Sequence, residues 1–207
     1  MTCQLMTSWA NSAGVPITVS WIGGLGRSER FAGDMAQRNV HYEAAFEDYL
    51  RARGWPYVAV DEAKKAIFGA ASIKSFDFLV YSESGPNLLV DVKGRKFPAP
   101  ARPAAKGSTK RWENWITQED ASGLTEWQKV FGGDFATVLV FAYWLQGPPQ
   151  RAPFADVHLY KGKHYAFVVV TLADYLANAK PRSTKWRTVA VASRTFAKLA
   201  ADIASML

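Results

Sequence analysis

The sequence predicts an α/β protein, a mixed sheet flanked by helices, and three observations predict it. Two short runs, Phe76–Tyr81 and Leu88–Lys93, are rich in aromatic and β-branched residues at strand length. A longer run, Phe135–Leu145, is nearly uniformly apolar and reads as a strand covered on both faces. Between and before them lie two segments with helical spacing, 40–53 and 117–131. Helix, strands, helix and strand in a chain of 207 residues make one well-cored domain.

Taken in order, residues 1–37 hold Gly14, Gly23, Gly24, Gly26 and Gly33 without a sustained period and are expected to be poorly structured. Met35, just before the first convincing helix, is an alternative start. The spacing of Tyr42, Phe46, Tyr49, Leu50 and Ala52 predicts a helix over Val40–Arg53, ended by Gly54. Pro56–Val60 reads as a first strand. The two acid-bearing runs follow, joined by the turn formers Ser82-Glu83-Ser84-Gly85-Pro86-Asn87. Residues 94–112 are broken by Pro and Gly and read as a loop.

The second helix is expected over Thr117–Phe131, with Thr117 and Asp120 as a capping box and Gly132-Gly133 as its stop. After Phe135–Leu145 comes a hairpin, Val157–Tyr160 and His164–Val170, turning at Lys161-Gly162-Lys163. Thr171 caps a short helix through Ala179, Trp186–Ala192 reads as a strand, and Thr195–Leu207 as a closing helix. The expected organisation is an N-terminal segment 1–37, a core 38–145, and a C-terminal α/β extension 146–207 packed on that core.

Composition narrows the classes. Apolar residues make up 49% and charged residues 21%, as in ordinary globular proteins. The 25 Lys and Arg outnumber the 18 Asp and Glu, and a charge of +7 favours a polyanionic partner. The single Cys3 excludes an intrachain disulfide framework and a cysteine zinc site, and suits a reducing compartment. No apolar run reaches the roughly 18 residues of a membrane span, and no signal-peptide pattern opens the chain, so the expected location is the cytoplasm. His41, His158 and His164 lack metal-ligand spacing, and no G-x-S-x-G or Walker pattern occurs.

The informative charges are Asp77 and Asp91, each set in an apolar strand-like run. A carboxylate enters such a strand when something offsets its desolvation, usually a cation. Side chains alternate along a strand, so Leu89, Asp91 and Lys93 face one way. Asp77 lies on the neighbouring strand, and the three groups together could hold a divalent metal and a water at a hydrolytic phosphodiester site. Glu43 and Glu47, four residues apart on one face of the first helix, are further acids that could reach the sheet.

A helix with Glu43, then Asp77, then Asp91-Val92-Lys93, then a helix and a buried strand resembles the PD-(D/E)XK nuclease superfamily. Within it the likeness is to archaeal-type Holliday junction resolvases and related small nucleases, over about residues 40–145. The resemblance implies a restriction-endonuclease-like α-β-β-β-α-β core. It assigns Glu43 to the helix glutamate that precedes a helix-ending glycine, here Gly54. Asp77 becomes the first acid of the motif, with Phe76 in place of the usual Pro, Asp91 the second acid and Lys93 the lysine. The implied activity is divalent-metal-dependent hydrolysis of nucleic-acid phosphodiesters, with DNA cut endonucleolytically. Mg²⁺, with Mn²⁺ as substitute, would be held by Asp77, Asp91 and the Val92 carbonyl. Glu43 would serve a water or a second metal position, and Lys93 would orient the attacking water and stabilise developing charge. Glu47 is an accessory candidate, as is Gln118, because many relatives place a polar residue on the helix after the lysine strand. Gln128 lies on the same helix. Resolvase-like relatives act as homodimers; Trp127, Phe131 or the C-terminal segment could supply such a surface.

From Lys93 to Arg111 the chain carries Arg95, Lys96, Arg102, Lys106, Lys110 and Arg111 with no acid among them. Arg95, Lys96, Lys110 and Arg111 are the candidate nucleic-acid contacts, and Trp112 and Trp115 could stack on bases. The plainer readings are a solvated basic loop, aromatic residues in the core, and strand-edge acids facing water. Two rivals remain open: a catalytically inactive nucleic-acid-binding or scaffold module of the same fold, and an unrelated α/β protein whose acids are incidental.

Overall fold

The computed structural model describes residues 8–10, 16–18, 40–60, 75–99 and 112–207. The chain divides into two units, 1–35 and 36–207. In the first, strands β1 (Ser8–Ala10) and β2 (Pro16–Thr18) pair antiparallel, Trp9 opposite Ile17.

The second unit opens with helix α1 (Val40–Arg53), over the residues its apolar spacing predicts. Tyr42, Ala45, Phe46, Tyr49 and Leu50 are buried, a stripe at i, i+3, i+4, i+7 and i+8. Gly54 ends it in the left-handed region (φ 72°), donating to Arg51 O at 3.0 Å while Trp55 N donates to Leu50 O at 3.1 Å. That pair of bonds satisfies the last carbonyls and needs a residue without a Cβ penalty at the turn.

Three strands follow: β3 (Tyr57–Ala59), β4 (Phe78–Val80) and β5 (Asn87–Phe97). β3 and β4 pair antiparallel, as do β4 and β5, with Phe78 opposite Val90. The connection between β4 and β5 is held by Ser82 Oγ, which accepts from Gly85 N at 2.9 Å. A two-residue β6 (Ile116–Thr117) leads into α2 (Gln118–Phe131), and α2 crosses over to β7 (Phe135–Leu145). β7 runs parallel to β5 from Asn87 opposite Phe135 to Phe97 opposite Leu145.

The hairpin β8 (His158–Tyr160) and β9 (Lys163–Thr171) comes next, then α3 (Leu172–Asn178), capped by Thr171 Oγ1 accepting from Asp174 N at 3.1 Å. Strands β10 (Ala179–Ser183) and β11 (Thr188–Val191), helix α4 (Ser193–Leu199) and β12 (Ala201–Asp202) complete the elements before a final 3₁₀ turn. The main sheet runs β12-β9-β7-β5-β4-β3, with β8 also on β9; β10, β11 and β6 form a second, small sheet.

The sheet's two faces carry two cores. Even-numbered residues of β5 and β7, among them Val90, Val92, Val140 and Ala142, pack with α1, Tyr165 and Phe167. Odd-numbered ones, among them Leu89, Phe97, Leu139, Phe141 and Tyr143, pack with Leu124, Tyr175 and Phe196 from the helices opposite. β7 is apolar apart from Thr137 because both of its faces are covered, as expected.

Several expectations change. β5 does not stop at Lys93 but continues to Phe97, because β7 offers a partner at every position as far as Leu145. Residues 146–207 do more than pack on a finished core: β8, β9 and β12 extend its sheet, and Leu172, Tyr175 and Phe196 enter its interior. The closing helix is short, since the chain after Leu199 turns into β12, where Ala201 pairs with Val169. Trp186 is a turn residue, 70% exposed, rather than part of a strand. Among the described residues, no helix is long and apolar enough to cross a membrane.

Candidate active site

Strand β5 sets the site. Its odd-numbered side chains Asp91, Lys93 and Arg95 lie between Leu89 and Phe97 on the face toward α2. Asp91 is 3% exposed, a carboxylate in a nearly closed interior. Lys93 Nζ lies 2.6 Å from Asp91 Oδ2 and 3.2 Å from Asp120 Oδ1. Asp120, also buried, comes from the first turn of α2. Its Oδ2 accepts from Thr117 N at 2.8 Å while Thr117 Oγ1 accepts from Asp120 N at 3.0 Å. The capping box therefore uses one oxygen of Asp120 for the helix and leaves the other to the lysine.

Asp77 sits just before β4 rather than within it, where that strand parts from β5. Its backbone N–H donates to Val90 O at 2.8 Å, and its Oδ2 accepts from Val92 N at 2.6 Å. The side chain thus takes the ladder position that the departing strand vacates. This brings the carboxylate to the residue between Asp91 and Lys93.

Glu43 is half-exposed on α1. The helix is drawn close to β5 at Gly94, where an added Cβ would overlap the Tyr42 ring. Glycine is required there for that approach, and the approach puts the charge of Glu43 within reach of Asp77. Burial pushes the Asp77 carboxyl up to about 8, with repulsion from Asp91 next and a smaller push from Glu43; the Val92 N–H and Lys93 act the other way. For Lys93, burial would lower the pKa, but Asp91 and Asp120 together raise it, so the ammonium stays charged.

The remaining candidates fall elsewhere. The Glu47 carboxylate accepts from Tyr57 Oη at 2.8 Å and pairs with Arg51, which ties α1 to β3. Gln118 is exposed at the start of α2 and accepts from Arg187 Nε at 3.3 Å. Gln128 bonds Phe135 O at 2.7 Å and Thr137 N at 2.7 Å, pinning the end of α2 to β7. Arg95 folds inward: it donates to Gly94 O at 2.7 Å and to Trp115 O, and lies 4.1 Å from the Trp115 ring centroid. Trp112 packs against Phe97, Tyr143 and Phe154 in the core. Trp127 and Phe131 pack edge-on against Phe76. Lys96 is exposed, and Lys110 and Arg111 lie outside the described residues.

Asp120 is the site residue that the sequence reading missed. Its signal was present, an acid on the helix that follows a D-x-K strand, but the capping role alone accounted for it.

No family model matches the sequence, and no curated protein matches it. Among solved structures, the chain is similar to Hjc, a Holliday junction resolvase from the archaeal hyperthermophile Archaeoglobus fulgidus. The two share 14% identity at a TM-score of 0.45, over 80% of this chain and 97% of that one.

Proposed function

We propose that this chain is a divalent-metal-dependent nuclease that hydrolyses phosphodiester bonds, with DNA as its substrate. The observation that carries this reading is the convergence of Asp77, Asp91 and Lys93 about Val92, with Glu43 on the adjoining helix. The donor set is all oxygen, two clustered carboxylates and a peptide carbonyl, which suits a hard cation such as Mg²⁺ or Mn²⁺. Asp77 and Asp91 with the Val92 carbonyl would hold it, and Glu43 would serve a neighbouring water or a second ion. When bound, such an ion acidifies water and polarises a phosphoryl oxygen. Lys93 would present its ammonium to the charge that gathers on the phosphate during attack. Asp120 would hold that ammonium in place from the helix side.

One observation favours a second reading, a module of the same architecture that binds nucleic acid without cutting it. Lys93 already engages Asp91 and Asp120, and among the described residues no three His, Cys, Asp or Glu side chains close on a single point. Supercoiled plasmid, linear duplex, single strand and four-way junction, each incubated with Mg²⁺ or Mn²⁺, separate the two. Metal-dependent cutting by the wild type, abolished in both Asp91→Ala and Lys93→Ala, is the expected result. Tight binding without cutting, unchanged in the variants, would replace the nuclease with the binding module.

A further inference from the structure

The sheet face toward α1 carries, beyond the helix, a cluster of a different kind. Lys96 on β5 is in register with Trp144 on β7, and Trp144 with Tyr165 on β9. Lys163 Nζ lies 4.4 Å and Lys96 Nζ 5.3 Å from the centroid of the same indole. His41, in the first turn of α1, meets that indole edge-on at 5.7 Å and is fixed by its Nδ1 contact with Tyr165 Oη at 2.9 Å. In the adjoining hairpin, Lys161 lies 5.1 Å from the Tyr160 ring. Among the described residues, neither Lys96 nor Lys163 meets a carboxylate.

We propose that Lys96, Lys163 and Trp144 form a docking site for the phosphate backbone of the polynucleotide whose cleavage is proposed above. This inference rests on the nuclease reading for its ligand but on separate residues for its geometry. Two ammonium groups over one ring repel each other, and the negative face of the indole offsets only part of that. A phosphate offset between them removes the rest and matches the surplus of positive charge in the chain. Lys96 follows Lys93 by three residues on β5, so its side chain lies on the opposite face of the sheet, the one covered by α1 with His41 and Glu43 in its first turn.

The test is equilibrium binding of labelled single-stranded and duplex DNA, with chelator present to prevent cutting, across a salt series. The proteins are wild type, the double variant Lys96→Gln/Lys163→Gln, and the control Lys180→Gln/Lys198→Gln, two exposed lysines on β10 and α4. The expected result is a salt slope reduced by about two and affinity lowered roughly tenfold to a hundredfold at moderate salt in the first variant only. Unchanged melting of both variants would show that folding is not the cause. Equal losses in the two double variants, or no loss in either, would overturn the docking site while leaving cleavage by the wild type untouched. Conversely, a selective loss in a protein that never cuts would support the docking site and overturn the nuclease. Failure of the wild type to bind any probe would overturn both.

Discussion

Strands β5 and β7 lie side by side, each eleven residues long and paired over their whole length, yet they are built on opposite terms. β7 carries no charged residue, and its interior positions from Val138 to Tyr143 are fully buried. β5 carries Asp91, Lys93, Arg95 and Lys96 in the same sheet. A strand buried on both faces is stable as an apolar ribbon; charges in its neighbour persist because each is met by another group or by water. Lys93 meets Asp91 and Asp120, Arg95 meets Trp115, and Lys96 is exposed beside Trp144. The contrast separates an apolar strand that the fold needs, β7, from one that carries charge at a cost in desolvation, β5.

Exchanging the terms of the two strands should give the largest effect. Leu139→Asp places a carboxylate where β7 has no cation to meet it, and the expected outcome is loss of the cooperative thermal transition. A retained melt near that of the wild type would mean that β7 tolerates what only β5 is equipped for. Next comes Lys93→Met, which strands Asp91 and Asp120 without their ammonium and should cost about 3–5 kcal/mol by chemical denaturation. The triple variant Asp91→Leu/Lys93→Met/Asp120→Asn should recover most of that stability, because an apolar replacement of a buried ionic group is often neutral. Recovery of stability without activity would mark β5's charges as functional rather than structural.

Cation binding sharpens the contrast further. Mn²⁺ at about 100 times its dissociation constant should stabilise the wild type by about 2.7 kcal/mol, and Asp91→Asn by far less. The same carboxylates set a pH dependence in metal-free protein. The folded state holds the Asp77 proton more tightly than the unfolded chain, with a pKa of about 8 against an ordinary 3.8. Folding then takes up a proton between those values, so this contribution is fully present below pH 4 and is lost as pH rises through about 8. The difference in melting temperature between wild type and Asp77→Asn, measured in chelator, should fall as pH rises across this range, and saturating Mn²⁺ should flatten it. A difference that rises would contradict the upward shift of Asp77. The smallest effect is expected from Gly94→Ala, where the new methyl meets Tyr42; overpacking of this kind costs about 1–3 kcal/mol. If α1 is displaced as expected, activity should fall by more than the stability change alone explains.

Much of this molecule was legible before any coordinates. Helix α1 matched its apolar stripe and Gly54, the Thr117–Asp120 capping box formed as read, and β7 has the limits of its apolar run. These are local patterns, each decided within a few turns of chain. Asp77 and Asp91 stood out in the sequence because a carboxylate inside an apolar run is costly. Glu47 and Gln118 were harder, since an exposed polar residue on a helix has many partners within reach, and theirs proved to be Tyr57, Arg51 and Arg187.

The sequence by itself determined the alternation of helices and strands, the ends of α1 and α2, and the presence of acids and a lysine in a strand that should be apolar. Propensity, capping and side-chain alternation act over short distances and leave their mark in neighbouring letters. Only the tertiary structure decided that β5 runs on to Phe97, that β9 joins the same sheet, that Asp120 reaches Lys93, and that Lys96 and Lys163 share the Trp144 ring. Those outcomes depend on strand register and on helix approach across long stretches of chain, where packing and charge compensation choose among partners that the local sequence leaves equivalent.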